Sequence, residues 1–341
     1  MNPPLLRRVL GLLAVGALAA ATAGCSPSDT PDDAAPTEEA NPTRVLDEEF
    51  ADPDILEVDG VYYAYASAGN RKNVQVATST DLLEWEMLDD DALPELPSWT
   101  IPGKTWAPEV TEVADGQFVL YFTTTNFKPA LQCIGVATST DPAGPFTVAG
   151  DRMLVCPEDE GGAIDASTFA TDTGLNLVWK NDGNCCDKDT WIQTAPLSAD
   201  GLALAGPTTR LVKQTLDWEG LLVEAPTVVP RDDGFALLYS SNFYGDSSYN
   251  VGYATAPALE GPWEKSPEPI LSSDSFGGDR YIGPGGQDLA TAPDGTRRHH
   301  LPALPQLGRR GHLPVDACRT RRVAGLRPAV HAGVKRTIRA L

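Results

Sequence analysis

Three acidic residues, Asp52, Asp165 and Glu224, stand 8, 9 and 10 positions before three glycines, Gly60, Gly174 and Gly234, each of which closes an apolar segment. Carboxyl groups at recurring positions can do acid–base chemistry. Inverting cleavage of a glycosidic bond takes one protonated carboxyl, which delivers a proton to the leaving oxygen. It takes a second, ionised carboxylate to activate water, roughly 6.5–9.5 Å away. A third carboxylate nearby keeps the acid's pKa high by like-charge repulsion. Each position alone has a plainer reading. Asp52 precedes Pro53 and is a natural turn residue, and Asp165 can cap a turn. Glu224 lies in the apolar run Leu221-Leu222-Val223-Glu224-Ala225-Pro226, where a charge is costly unless paired or put to use. Three acids at matching places in a repeat weigh more than any one of them.

Composition narrows the alternatives. All four histidines (His299, His300, His312, His331) lie near the end of the 341-residue chain. The first 296 residues therefore offer no histidine base and no histidine metal ligand. A Ser-His-Asp triad and a His-ligated zinc site are excluded there. The net charge is −21. The 11 basic residues and single acid (Asp316) after Thr296 leave 15 basic and 46 acidic residues before it, a charge of −31. Such a body repels nucleic acid and anionic membrane surfaces, so a neutral partner is expected.

The elements that must position the acids form a repeat. A small or acidic start, an apolar strand, a turn ending in Gly and an aromatic-rich strand recur from Ala51, Ala107, Ile164, Val223 and Ile282. The turn glycines Gly60, Gly116, Gly174, Gly234 and Gly295 are 56, 58, 60 and 61 residues apart. Asp-Gly or Thr-Gly between alternating apolar segments signals a hairpin. A third element follows each of the first four: VATSTD from Val76, VATSTD from Val136, IQTAPL from Ile192 and YATAPA from Tyr253. An aromatic then marks a fourth strand at Trp85, Phe146 and Trp263. Four strands per unit, five times over, predict an all-β, five-bladed propeller over residues 47–296, with blade starts at the mouth of the central channel.

The segments ADPDILEVDGVYYAYAS, TWAPEV, IDASTF and VEAPTVV, in this order and spacing, resemble glycoside hydrolase family 43. The resemblance spans roughly residues 47 to 296. It implies a five-bladed propeller, an inverting glycosidase, and plant cell-wall polysaccharides or oligosaccharides bearing arabinofuranosyl or xylosyl units. By motif, Asp52 matches the general base, Glu224 the general acid, and Asp165 the residue that tunes the acid's pKa and orients the donor sugar. Trp106 of TWAPEV is a candidate sugar-stacking face. Trp179, Trp191 and Trp218 fit core packing better, and Trp85 and Trp263 fit structural places on outer strands. Related families acting on fructans carry Arg-Asp-Pro and Glu-Cys motifs, and neither occurs here. The family often holds a central metal near a histidine of its fifth blade. That position is Gly286 in Gly283-Pro284-Gly285-Gly286-Gln287-Asp288, so no cofactor is required and a central calcium ion has no assigned ligand. A non-catalytic, surface-bound carbohydrate-binding propeller is the reading from another class.

The ends read differently. Arg7 and Arg8 precede an apolar run, Val9 to Ala21, and Thr22-Ala23-Gly24-Cys25 closes it. Residues 1–25 read as a lipoprotein-type signal peptide with Cys25 as the lipidated residue, and ordinary secretion is the alternative. Membrane contact is then through that lipid alone, at the bacterial cell surface, and the protein is expected to be monomeric. Residues 26–46, rich in Ser, Pro, Thr, Asp and Glu, read as a flexible tether. Cys133 and Cys156 are a disulfide pair candidate for an oxidising exterior, and Cys185-Cys186 is a vicinal pair whose partner is open. After Thr296 the repeat stops: the last 45 residues hold no Phe, Tyr or Trp. Residues 297–341 read either as a basic tail for anionic wall polymers or as the product of a changed reading frame. The second reading predicts a fifth blade short of strands and a product that folds poorly or is inactive.

Overall fold

The structure is a computed structural model that describes residues 44–276 and 281–295, with the backbone of two further strands at 297–302 and 315–319. Cys25, the leader and most of the tether lie outside the described residues. The strands are antiparallel and short, as the turn-rich composition predicts. β2 (Asp54–Val58), β3 (Val61–Ala66), β4 (Gln75–Ser79) and β5 (Glu86–Met87) form one four-stranded sheet. β6 (Thr100–Ala114), β7 (Gln117–Asn126), β8 (Gln132–Ser139) and β9 (Thr147–Val148) form the next. β10 (Ala163–Thr171), β11 (Gly174–Asn181), β12 (Trp191–Pro196) and β13 (Thr209–Lys213) follow, then β14 (Val223–Arg231), β15 (Gly234–Ser241), β16 (Asn250–Ala256) and β17 (Glu264–Lys265). Each sheet runs in sequence order, so each is a meander closed by tight turns.

The local reasons are visible in the turns. Val58 pairs with Val61 across Asp59-Gly60, and both turn residues have positive φ, 52° and 83°. That geometry matches the strands' right-handed twist and favours Gly at the second place. Apolar side chains pack between neighbouring sheets. Tyr65, Val76, Val110, Leu120 and Phe122 join the first and second sheets, and Tyr121, Ile134, Leu177 and Trp179 the second and third. Phe169, Val178, Val228 and Leu237 join the third and fourth. This is an all-β propeller whose core lies between blades rather than under one sheet.

A further sheet joins β18 (Asp288–Thr291), β19 (Arg297–Pro302) and β20 (Val315–Arg319) with β1 (Arg44–Leu46). Two expectations change here. The tether ends earlier than Leu46, because Arg44 and Leu46 pair with Asp316 and Val315 in the backbone ladder and Leu46 packs near Phe50. The strands also do not stop at Thr296: Asp288 pairs with His300 and Thr291 with Arg297. Ladder hydrogen bonds are made by backbone groups, so a segment without aromatic residues can still pair. The sequence pattern reports side chains and is blind to this.

Candidate active site

The inner strands share one local device. Asp52, Ala107, Asp165 and Ala225 all have left-handed backbone, with φ of 52°, 42°, 57° and 46°, and Gly286 has φ 58°. They lie 8, 9, 9, 9 and 9 residues before their turn glycines. In β6, β10 and β14 the pairing register shifts across this residue, between Trp106 and Glu109, Ile164 and Ser167, and Glu224 and Thr227. A bulge bends its strand and re-aims the side chains beside it. Here it turns the residues at the bulge into the cavity. Left-handed non-glycine residues cost on the order of 1–2 kcal/mol each, so the repeated strain marks a site the surrounding sheets enforce. The equivalence expected of the three acids is corrected in one respect. Asp52 and Asp165 are equivalent, but the matching residue of the fourth sheet is Ala225, and Glu224 precedes it.

Two residues beyond each bulge, side chains tie each inner strand to the next. Val110 N–H donates to Asp54 Oδ2 (2.7 Å), and Thr168 N–H and Oγ1–H donate to Glu109 Oε1 (2.7 and 2.5 Å). Thr227 Oγ1–H donates to the Gln287 carbonyl (3.0 Å), and Ile55 N–H donates to Asp288 Oδ2 (2.9 Å). Asp165 completes the series from the bulge itself, accepting from Ala225 N–H at 2.9 Å. Asp288 thus clasps the last inner strand to the first. Burial pushes Glu109 up to about 7 and Asp288 up to about 8, and raises Asp54 well above the usual carboxylate range. Like charge adds to this, from Asp288 on Glu109, from Asp54 on Asp288 and from Glu109 on Asp54.

On the other side of the bulges a cavity of about 530 Å³ brings Asp52, Asp165 and Glu224 together with Trp106. Asp52 accepts a hydrogen bond from Ser67 Oγ at 2.6 Å. Burial raises its pKa, Ser67 opposes that, and the charge of Glu224 adds to it. Burial, with the charges of Glu224 and Asp52, pushes Asp165 up to about 8 against the pull of Lys180. Glu224 accepts from Lys180 Nζ at 3.1 Å through Oε2 and from Tyr249 OH at 2.8 Å through Oε1. Lys180, buried on β11, also meets Asp182 Oδ1 at 3.4 Å. Burial acts to lower its pKa, but the carboxylates of Glu224, Asp165 and Asp182 prevail and hold it above the ordinary lysine value.

Sequence reasoning missed Lys180, Asp182, Tyr249 and Ser67. Lys180 ends the segment LNLVWK, which reads as an ordinary aromatic strand. Its signal was a single cation after an apolar run, and only the neighbouring sheet explains it. Trp179 is buried in the core and Trp218 stacks on Tyr239 (6.3 Å, 19°), as expected; Trp191 instead is half-buried, outside the core, beneath the Arg210 guanidinium at 5.0 Å. Cys133 is bonded to Cys156, with Cα atoms 4.8 Å apart, and Cys185 to Cys186 in the cavity-side connection after Lys180. The residues near Gly286 do not fit a metal ion. Gln287 spends its amide on Ser240 Oγ and the Ala225 carbonyl, and Asp288 accepts from Ile55 N–H. Among the described residues, no three His, Cys, Asp or Glu side chains converge as a ligand set.

A family model for glycosyl hydrolases family 43 matches residues 40–322. The chain belongs to that family. The match bears out the resemblance that the blade-start motifs carry to this family. An extracellular exo-α-(1→5)-L-arabinofuranosidase of Streptomyces avermitilis is 26% identical over 302 residues, 84% of this chain and 58% of that relative. The chain therefore spans little more than half of that relative's length. A β-D-galactofuranosidase of Aspergillus niger is 28% identical over 265 residues, 70% of this chain and 72% of the relative. Among solved structures, a thermostable family-43 glycoside hydrolase superposes with a TM-score of 0.66 at 26% identity, covering 79% of this chain and 88% of the other.

Proposed function

We propose that this family-43 chain is an inverting glycoside hydrolase acting on arabinofuranosyl or xylosyl linkages of plant cell-wall polysaccharides or their oligosaccharides. The observation that carries this is the meeting of Asp52, Asp165 and Glu224, from three different sheets, on one cavity. In this reading Asp52, held by Ser67, takes a proton from the attacking water. Glu224, between Lys180 and Tyr249, gives a proton to the leaving oxygen. Asp165 holds both the field around Glu224 and, through its bond to Ala225 N–H, the strand that carries it. Trp106 offers an apolar face to the sugar ring.

The test is turnover of 4-nitrophenyl α-L-arabinofuranoside and β-D-xyloside. Glu224→Gln or Asp52→Asn is expected to lower kcat/KM on oligosaccharides by about 10²–10⁴-fold. Proton NMR of the first product should show the inverted anomer. Unchanged rates in both variants would sink the assignment, and glycan affinity without turnover would make the protein a binding propeller.

The wider reading follows the same line. Relatives named extracellular support export of this protein, and Cys25 is the proposed lipid anchor of a monomer at the cell surface. Five blades are proposed, the last completed by β1, which would fasten the ring by pairing both ends of the domain. The segment after Thr296 is the weak part of that blade. Its loss of aromatic residues supports a changed reading frame, and translation of the DNA around codon 296 in the other two frames tests this. Absence of an aromatic strand in both would overturn it.

A further inference from the structure

The wall of the cavity on the fourth sheet carries apolar surface that the acids do not use. Phe243 and Tyr244 lie in the connection between β15 and β16, 55% and 65% exposed. Their ring centroids are 5.0 Å apart at 44°, and both rings line the cavity that holds Glu224. Two adjacent large aromatics left in water are unfavourable unless something covers them. The loop is also built to present them. A Cβ placed on Gly245 would come within 2.5 Å of Phe243 Cε1, so the ring rests against a residue that has no side chain. Leu222, from the segment leading into β14, extends the apolar wall.

The same connection reaches the hydrolytic centre at its other end. Tyr249 donates to Glu224 Oε1, and Tyr249 closes the loop in which Phe243 and Tyr244 stand. A general acid must lie against the oxygen of the departing group, because that is the atom it protonates. The surface continuous with the acid therefore faces the leaving group, and the sugar being cut lies toward Asp52 and Asp165. We infer that Phe243 and Tyr244 form a subsite for the leaving-group sugar, stacking on the C–H face of the pentose residue that carries the departing oxygen. This rests on Glu224 being the acid. It makes the protein select glycans over simple glycosides: binding energy from the departing sugar holds the scissile oxygen against Glu224.

The experiment compares substrates that share a donor sugar and differ in leaving group. Phe243→Ala, Tyr244→Ala and the double variant are assayed on arabinotriose and xylotriose, and on the corresponding arabinofuranosyl and xylosyl fluorides. Fluoride brings no ring to the subsite and needs no proton from Glu224. The double variant is expected to lose about tenfold or more in kcat/KM on the trisaccharides, a loss equivalent to about 1.4 kcal/mol. On the fluorides it should stay within about twofold. Tyr244→Phe should keep the trisaccharide rate, because the ring remains. Equal losses on both substrate types, or no loss on either, would overturn the subsite. Glu224→Gln separates the two readings: trisaccharide activity should fall while fluoride turnover persists. If it leaves trisaccharide turnover intact, the acid assignment has failed, whatever the aromatic variants do.

Discussion

At the residue scale, the site is organised by one cation. Lys180 is 1% exposed, yet its ammonium faces Glu224, Asp165 and Asp182. Removing one partner of a buried ion pair leaves uncompensated charge and costs roughly 3–5 kcal/mol. Lys180→Met is therefore expected to lower the thermal midpoint and to change the pH dependence of whatever activity remains. Without the cation, nearby carboxyls hold protons more tightly, so the alkaline limb of kcat/KM should move to higher pH. Lys180→Arg, which keeps the charge, should restore much of both. A pH–rate profile checks this, and an unmoved alkaline limb in Lys180→Met would show that the lysine is only structural. Asp52, Asp165 and Glu224 were legible in the sequence because each opens a recognisable motif. Lys180 and Tyr249 were not, since their roles come from a strand and a loop brought alongside by folding.

At the element scale, the repeated unit is a bulged inner strand with one left-handed residue. Ala107 occupies that place with no functional group on its side chain, and its N–H donates to Ser67 Oγ at 2.9 Å. Glycine tolerates positive φ, although it loses more entropy on folding. Ala107→Gly should be stabilising by roughly 1 kcal/mol, seen in calorimetry as a rise of about 2–4 °C in Tm. A lower midpoint would mean that the alanine is not strained there. The disulfide acts on another element. It joins Cys133 in β8 to Cys156, 23 residues on, before the connection that leads to β10. Closing a loop of that size restricts the unfolded chain by about 3 kcal/mol. Replacing both cysteines by alanine should lower Tm under oxidising conditions and leave the reduced protein unaffected. Alternating strands and turn glycines made these units readable. The bulges were not, because a register shift depends on the partner strand.

At the scale of the whole molecule, carboxyl clasps link inner strand to inner strand, and their protonation couples stability to pH. Glu109 sits at about 7 against an ordinary 4.5, and Asp288 at about 8 against 3.8. The folded state binds these protons more tightly than the unfolded chain. Their contribution is therefore complete below about pH 4 and is lost as pH rises through about 7 to 8. Midpoints should fall between pH 5 and 8, and Glu109→Gln combined with Asp288→Asn should flatten that fall. An equally steep fall in the double variant would show that other groups are responsible. Asp151, Asp200, Asp233 and Glu219 work in the opposite sense, since their pKa values are lowered, and their stabilisation is lost at the acid end.

The acids that open the blades were where the sequence spoke most clearly. Repeat spacing and turn glycines determined an all-β body, and the absence of histidine before residue 299 excluded histidine bases and histidine metal ligands from it. Those signals are local in the chain, carried by turn chemistry and alternation. Only the tertiary structure decided that Asp52 and Asp165 share a register position while Glu224 stands one residue earlier. Only it placed Lys180 and Tyr249 on Glu224, tied Asp288 to Ile55, and paired β1 with β20 beyond the point where the repeat fades. Each of these joins residues far apart in sequence through a hydrogen bond or an ion pair. Such a pairing exists only when folding sets distant strands, loops or sheets side by side, and no periodicity along one strand encodes it.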